Sequence, residues 1–242
     1  MEIVGSTSDV IDFITVVDEN KLVVCRLEDV KHKLSVYDLY SGKYLYAIPL
    51  PVGSMITGLT GRREDKIMFY NVSSYTSPST TYKFDFASGQ QSLFRETEIK
   101  GFDSSSLETR QVFYESFDGT KIPMYILSKK CVALDGSNPL LLYGYGGFNI
   151  SITPSFSATY VAFCLHLGGI VAVANIRGGS EYGNDWYYNG RLDKKQNVFD
   201  DFQAAAKYLV AKSYTSHSKI VINGGSNGGL LVGACVNQAP EL

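Results

Sequence analysis

The stretch KIVINGGSNGGLL, residues 219–231, decides how this chain is read. It joins one apolar run, KIVING, to a second, GGLLVGACV, through a turn in which glycines flank a single serine. Gly224, Ser226 and Gly228 spell G-x-S-x-G. Strand, sharp turn and helix form the setting in which that motif lifts a serine hydroxyl above a sheet. So tight a turn brings neighbouring backbone too close for side chains, and Gly224 and Gly228 have none. A helix that starts just after the serine directs unpaired N–H groups at it, so the Asn227 N–H is placed to stabilise an oxyanion. The competing reading, a dinucleotide-binding turn, needs G-x-G-x-x-G, which this turn does not contain.

Working outward, residues 139–147 (PLLLYGYGG) and 168–179 (GGIVAVANIRGG) are also nearly continuous apolar runs. Runs that are apolar on both faces suit parallel strands covered by helices. Between the second and third lies NVFDDFQAAAKYLVAK, where Phe199, Phe202, Ala206, Leu209 and Val210 recur at helical spacing. Asn197 is expected to cap this helix, with Asp200 and Asp201 in its first turn. Upstream, Val112, Tyr114 and Ser116 alternate with Phe113 and Glu115, and Ile122, Met124 and Ile126 alternate on the return. Asp118-Gly119 stands between them and marks a hairpin. The order of elements predicts an α/β domain on a largely parallel sheet.

The first hundred residues read differently. KLVVCRL, KLSVYDL, KYLYAIPL, KIMFYNV, TYKFDF and QSLFRE are short strands bounded by turn residues. They also repeat. In VYDLYSGK and KFDFASGQ, Asp38 aligns with Asp85, Ser41 with Ser88 and Gly42 with Gly89. A strand, an Asp-x-x-Ser-Gly turn and another strand fit the outer hairpin of a propeller blade, whose repeats run to ~40–50 residues. This predicts about two blades over residues 1–103, a polar linker near FDSSSLE, and a second domain over residues 104–242.

The totals bound the partners. The chain has 242 residues and a net charge of -2, which offers nucleic acid or an anionic membrane no electrostatic attraction. Cysteines 25, 131, 164 and 235 form no C-x-x-C pair, so buried free thiols are expected rather than a metal site. Asn71-Val-Ser73 and Asn149-Ile-Ser151 match the glycosylation triplet, a pattern that arises by chance. The acidic N-terminal stretch lacks the basic start of a signal peptide, and no apolar run reaches the ~18 residues of a membrane span. A cytoplasmic protein without a cofactor is expected.

Taken together, LLYGYGGFNISITPSFS, GGIVAVANIRGGSEYGNDW, KQNVFDDFQAAAKYL and INGGSNGGLLV resemble the catalytic domain of the prolyl oligopeptidases, continuously from about residue 110. The first hundred residues resemble the last blades of that family's propeller. The resemblance implies a truncated α/β-hydrolase domain preceded by part of a β-propeller. It also implies a cytosolic, monomeric serine peptidase that cuts short peptides after proline. On this resemblance Ser226 is the nucleophile, Asn227 supplies a backbone oxyanion donor and the Tyr145 hydroxyl supplies the second. Phe148 flanks the proline pocket, while Tyr143 and Trp186 are packing residues.

A nucleophilic serine needs a base, and in this fold the triad runs Ser, Asp or Glu, His. After Ser226 comes NGGLLVGACVNQAPEL, without histidine or aspartate. The three histidines, His32, His166 and His217, all lie upstream. His217 precedes the nucleophile strand, about 17 Å of extended chain from Ser226. The triad Asp and His are therefore expected outside these residues, and the chain is expected to be an interior fragment that is inactive alone. Two alternatives stand beside this reading: an esterase or a dipeptidyl- or oligopeptidase relative of the α/β-hydrolase class, and a non-catalytic propeller interaction protein.

Overall fold

A computed structural model describes residues 9–51 and 53–242. The start of the acidic N-terminal stretch, residues 1–8, lies outside the described residues. The chain divides into two compact units. One holds the described residues up to Phe102 together with Thr153–Phe156; the other holds Asp103–Ile152 and Ser157–Leu242.

The first unit is two antiparallel four-stranded sheets. One contains β1 (Val10–Val17), β2 (Lys21–Glu28), β3 (Lys31–Asp38) and β4 (Tyr44–Ile48), paired in chain order. The other contains β5 (Ser54–Thr60), β6 (Ile67–Ser74), β7 (Thr80–Asp85) and β8 (Gln90–Glu96), also in chain order. Alternation directs one face of each strand inward, so Val23, Cys25, Leu34 and Val36 share a core with Met68, Tyr70, Val72 and Phe84. β1 and β5 are absent from the strands read off the sequence. Both carry a β-bulge, between Ile11 and Phe13 and between Ile56 and Gly58, and a bulge interrupts the period of two.

The aligned Asp-x-x-Ser-Gly turns adopt one geometry. Asp38 Oδ1 accepts from the N–H groups of Tyr40 and Ser41 at 3.2 and 2.8 Å. Asp85 Oδ1 accepts from Ala87 and Ser88 at 2.9 and 3.3 Å. Gly42 and Gly89 sit at φ 69° and 68° and donate to the carbonyls of Asp38 and Asp85 at 2.9 and 2.8 Å. The positive φ explains why glycine stands at both positions. Buried His32 ties the two sheets together: its Nδ1 accepts from Ile56 N–H at 2.9 Å, and its Nε2 lies 3.1 Å from the Asp12 carboxylate. Burial lowers the His32 pKa, against the pull of Asp12.

The second unit is a five-stranded sheet. Its strands are β9 (Leu107–Glu115), β10 (Lys121–Lys129), β11 (Leu140–Tyr143), β12 (Ile170–Ala174) and β13 (Ile220–Asn223), in spatial order β13-β11-β12-β10-β9. β11 runs parallel to both β12 and β13, whereas β10 is antiparallel to both β9 and β12. The sheet is thus mixed rather than largely parallel, because the β9–β10 hairpin joins it as an antiparallel half. Tyr114, Ile122, Met124 and Ile126 of that hairpin all enter the core, as their alternation requires.

The helices are α1 (Ala158–Leu167), α2 (Asn184–Tyr188), α3 (Gln196–Ala211) and α4 (Asn227–Gln238). α1 connects β11 to β12 and is capped by the Ser157 hydroxyl, which accepts from Tyr160 N–H at 3.4 Å. α3 buries Phe199, Phe202, Ala206 and Leu209 against the sheet. Its start departs from the expectation. Lys195 occupies the cap position without a side-chain bond, and Asn197, already inside the helix, donates to Asn189 O at 2.9 Å. Neither Asp200 nor Asp201 falls in the first turn: Asp200 accepts from Gln196 Nε2 at 2.9 Å, and Asp201 is fully buried. Of the four free cysteines, Cys25, Cys164 and Cys235 are buried and Cys131 is exposed, in the turn after β10.

Candidate active site

β11 and β13 lie side by side in register, Tyr143 opposite Asn223, and Gly144 N–H extends the ladder to Asn223 O at 3.2 Å. Both strands therefore end at one edge of the sheet. Tyr145 follows two residues after β11, and Ser226 three residues after β13. Carboxyl edges of parallel strands are where open α/β sheets hold their sites.

The turn after β13 is strained at one residue. Ser226 stands at φ 54°, ψ -115°, outside the regions a side-chain-bearing residue ordinarily occupies, and its side chain is exposed. Backbone crowding enforces this. A Cβ on Gly224 would lie 2.5 Å from Gly228 O, and one on Gly228 would lie 2.8 Å from Gly144 O. α4 begins at the next residue, Asn227, so its N-terminal N–H groups and dipole face the serine.

The loop after β11 is held by side chains. Asn227 Nδ2 donates to Tyr145 O at 2.6 Å. Lys195 Nζ donates to Gly146 O at 2.7 Å and to Asn227 Oδ1 at 3.3 Å. One ammonium thus bridges the two loops, and burial lowers its pKa. The fit is close, since a Cβ on Gly147 would meet Asn227 Nδ2 at 2.5 Å. Tyr145 is half-buried, and Phe148 projects with 71% of its surface exposed from a backbone at φ 55°.

Beneath lies the segment after β12. Arg177 is buried and ion-paired to fully buried Asp201 of α3 at 2.6 Å, and to Asp118 of the β9–β10 turn at 2.6 Å. Ser116 Oγ donates to Asp201 at 2.6 Å, and Tyr114 OH to Asp201 O at 2.9 Å. Burial raises the Asp201 pKa, against Arg177. Desolvation also acts upward on Asp118, but the Arg177 and Thr120 hydrogen bonds prevail and hold it down at about 2. Trp186 packs on Tyr182 and donates from Nε1 to Ile176 O at 3.2 Å, a packing position as expected.

The structure thus brings Ser226, Asn227, Gly224, Gly228 and the Tyr145 loop to one place. His217 sits in a 3₁₀ turn that enters β13 at its amino end, and His166 is exposed in the last turn of α1. Neither shares the edge that carries Ser226. Among the described residues no group of His, Cys, Asp and Glu could hold a metal ion. No helix among them is long and apolar enough to cross a membrane. Lys195, Arg177 and Asp201 went unread in the sequence as site residues. A charged residue inside an otherwise apolar helix face was the available signal for Asp201.

Two family models match the chain. The model described as "Prolyl oligopeptidase, N-terminal beta-propeller domain" matches residues 2–97, and "Prolyl oligopeptidase family" matches residues 154–242. Prolyl oligopeptidase ophP of Omphalotus olearius is 45% identical over 232 residues, covering 93% of this chain and 30% of that protein. Prolyl endopeptidase of Dictyostelium discoideum is 44% identical over 243 residues, covering 100% of this chain and 32% of that protein. A structure from a study of two prolyl endopeptidases superposes with a TM-score of 0.89 at 40% identity, covering 98% of this chain and 34% of the other. Prolyl oligopeptidase B of Galerina marginata, bound to a 25mer macrocyclization substrate, gives 0.92 at 34% identity, with 98% and 33% covered. The chain spans about a third of the length of these relatives. With one family's propeller and peptidase models matching in that order, the chain belongs to the prolyl oligopeptidase family.

Proposed function

We propose that this chain carries the nucleophile half of a serine peptidase that cleaves short peptides after proline, with residues 1–103 as propeller and 104–242 as catalytic domain. The observation that carries the reading is Ser226, held at positive φ between β13 and α4 beside the Tyr145 loop. Ser226 Oγ attacks the carbonyl carbon of the proline residue. The oxyanion that forms is met by the Asn227 N–H and the Tyr145 hydroxyl. Collapse expels the amine and leaves an acyl-enzyme, which water hydrolyses. Exposed Phe148 stands where it can flank the prolyl ring. The proton that leaves Ser226 needs a histidine positioned by an acid. Since the relatives are about three times as long as this chain, we assign both to sequence beyond these 242 residues.

On this reading the chemistry draws on no cofactor, and the enzyme is a cytoplasmic monomer acting on free peptides without nucleic-acid or membrane partners. The net charge of -2 is consistent with those partners' absence. The test is turnover of a proline-blocked chromogenic peptide by the complete enzyme and by its Ser226→Ala variant. Loss of at least ~10³ in kcat with unchanged folding is expected. Unchanged turnover would remove Ser226 from the chemistry. A preference for simple esters over the prolyl peptide would reassign the substrate to the esterase class.

A further inference from the structure

The segment that follows Phe148 is laced to the segment that follows β12 by hydrogen bonds on nearly every residue. Asn149 N–H donates to Gly178 O at 3.2 Å, Ser180 Oγ to Asn149 O at 2.9 Å, and Ser151 Oγ lies 2.9 Å from Ser180 Oγ. At Ile152 both backbone groups are taken: its N–H donates to Glu181 Oε1 at 2.9 Å, and its carbonyl accepts from Asn175 Nδ2 at 2.5 Å. Glu181 is only 2% exposed and Asn175 is fully buried. Within this satisfied network two buried oxygens have no partner, Glu181 Oε2 and Asn175 Oδ1. An ionised carboxylate only accepts, so Oε2 would hold its charge in this buried site without a charged partner. Protonation of Oε2 removes that charge and leaves the Oε1 bond to Ile152 in place.

We infer that Glu181 is a positioning residue for the loop bearing Tyr145 and Phe148, and that it works as a neutral carboxylic acid. Its Oε1 accepts from Ile152 N–H, and Oε2 carries the proton. The groups that act on this carboxyl are the Ile152 N–H, its own backbone N–H and the Asn175 amide; no charged side chain is among them. Gly179 packs against it so closely that a Cβ there would collide with Oε2. Without a cation nearby, burial dominates and pushes the carboxyl up to about 7. Ionisation above that pH puts a charge that no cation meets into a buried pocket and loosens the loop.

The consequence for catalysis rests on the reading of Ser226 and Tyr145 as a peptidase site; the protonation state does not. Infrared difference spectra of the chain, wild type minus Glu181→Gln, should show a protonated-carboxyl C=O band near pH 6 that fades as pH rises through about 7. No such band near pH 6 would overturn the inference. Should Glu181→Gln fail to fold, hydrogen exchange at Ile152 N–H in the wild type decides. Its protection should fall about tenfold between pH 6 and pH 8, beyond the intrinsic pH effect, and unchanged protection would overturn the inference. In the complete enzyme, Glu181→Gln, which keeps one acceptor and one donor, should hold kcat/KM within about threefold near pH 6 and lose the alkaline decline linked to this group. Glu181→Ala should lower kcat/KM about tenfold or more. A Gln variant as impaired as Ala, or one with the wild-type alkaline limb, would show that the charged form does the positioning. If Ser226→Ala retains turnover, the peptidase reading fails while the band near pH 6 still reports on Glu181.

Discussion

The turns of the first unit and the loops at the sheet edge of the second are built in opposite ways. Each Asp-x-x-Ser-Gly turn closes on itself within five residues, and Asn20 Nδ2 adds one longer-range bond to Asp38 at 2.8 Å. Its aspartate caps the N–H groups two and three positions on, and a glycine at positive φ closes it. The loops around Ser226 and Tyr145 are fixed by residues far away in the chain. Lys195 reaches Gly146 across 49 positions, Asn227 reaches Tyr145 across 82, and Ser116 reaches Asp201 across 85. Local turns can be written twice and drift independently. A site assembled from distant segments fails when any one of its anchors fails.

Mutations should separate the two designs by size of effect. The largest is expected for Arg177→Met, which leaves the fully buried Asp201 carboxyl without its cation. A loss of ~3–5 kcal/mol is expected from urea unfolding, and adding Asp201→Leu should restore part of it. A loss below about 1 kcal/mol would show that this anchor is dispensable. Next comes Gly224→Ala, whose Cβ would press on backbone that cannot swing away. Overpacking of this kind costs ~1–3 kcal/mol, and here it should also displace Ser226. An alanine variant of wild-type stability would mean that the turn is less confined than its contacts imply.

The smallest effects belong to the first unit. Asp38→Ala and Asp85→Ala each remove a turn's N–H caps, and each should lower the melting temperature by roughly 1–3 °C. The Asp38 shift should be the larger, because Asp38 also accepts from Asn20 Nδ2 at 2.8 Å. A larger shift at Asp85 would break that ordering.

The same contrast explains what could be read in advance. The Asp-x-x-Ser-Gly turns and the Ser226 elbow are local patterns, and all three stand where the residues alone put them. The runs around residues 139–147, 168–179 and 219–224 do hold the three parallel strands. Each strand is shorter than its run, because Gly144, Gly146 and Gly178 already belong to the loops. The start of α3 was misplaced because Asn197 has good capping chemistry, whereas its amide is used by Asn189. Lys195, Arg177 and Glu181 had no local signature, because their partners are brought to them only by the fold.

The account's central claim is that the loops after β11 and β13 converge on one oxyanion. Tyr145→Phe in the complete enzyme removes a single hydroxyl from that convergence and leaves the backbone bond from Asn227 in place. The variant should lose ~10²–10³ in kcat, with a much smaller change in KM and an unaltered melting temperature. Full kcat in the folded variant would contradict the claim and return Tyr145 to a packing role.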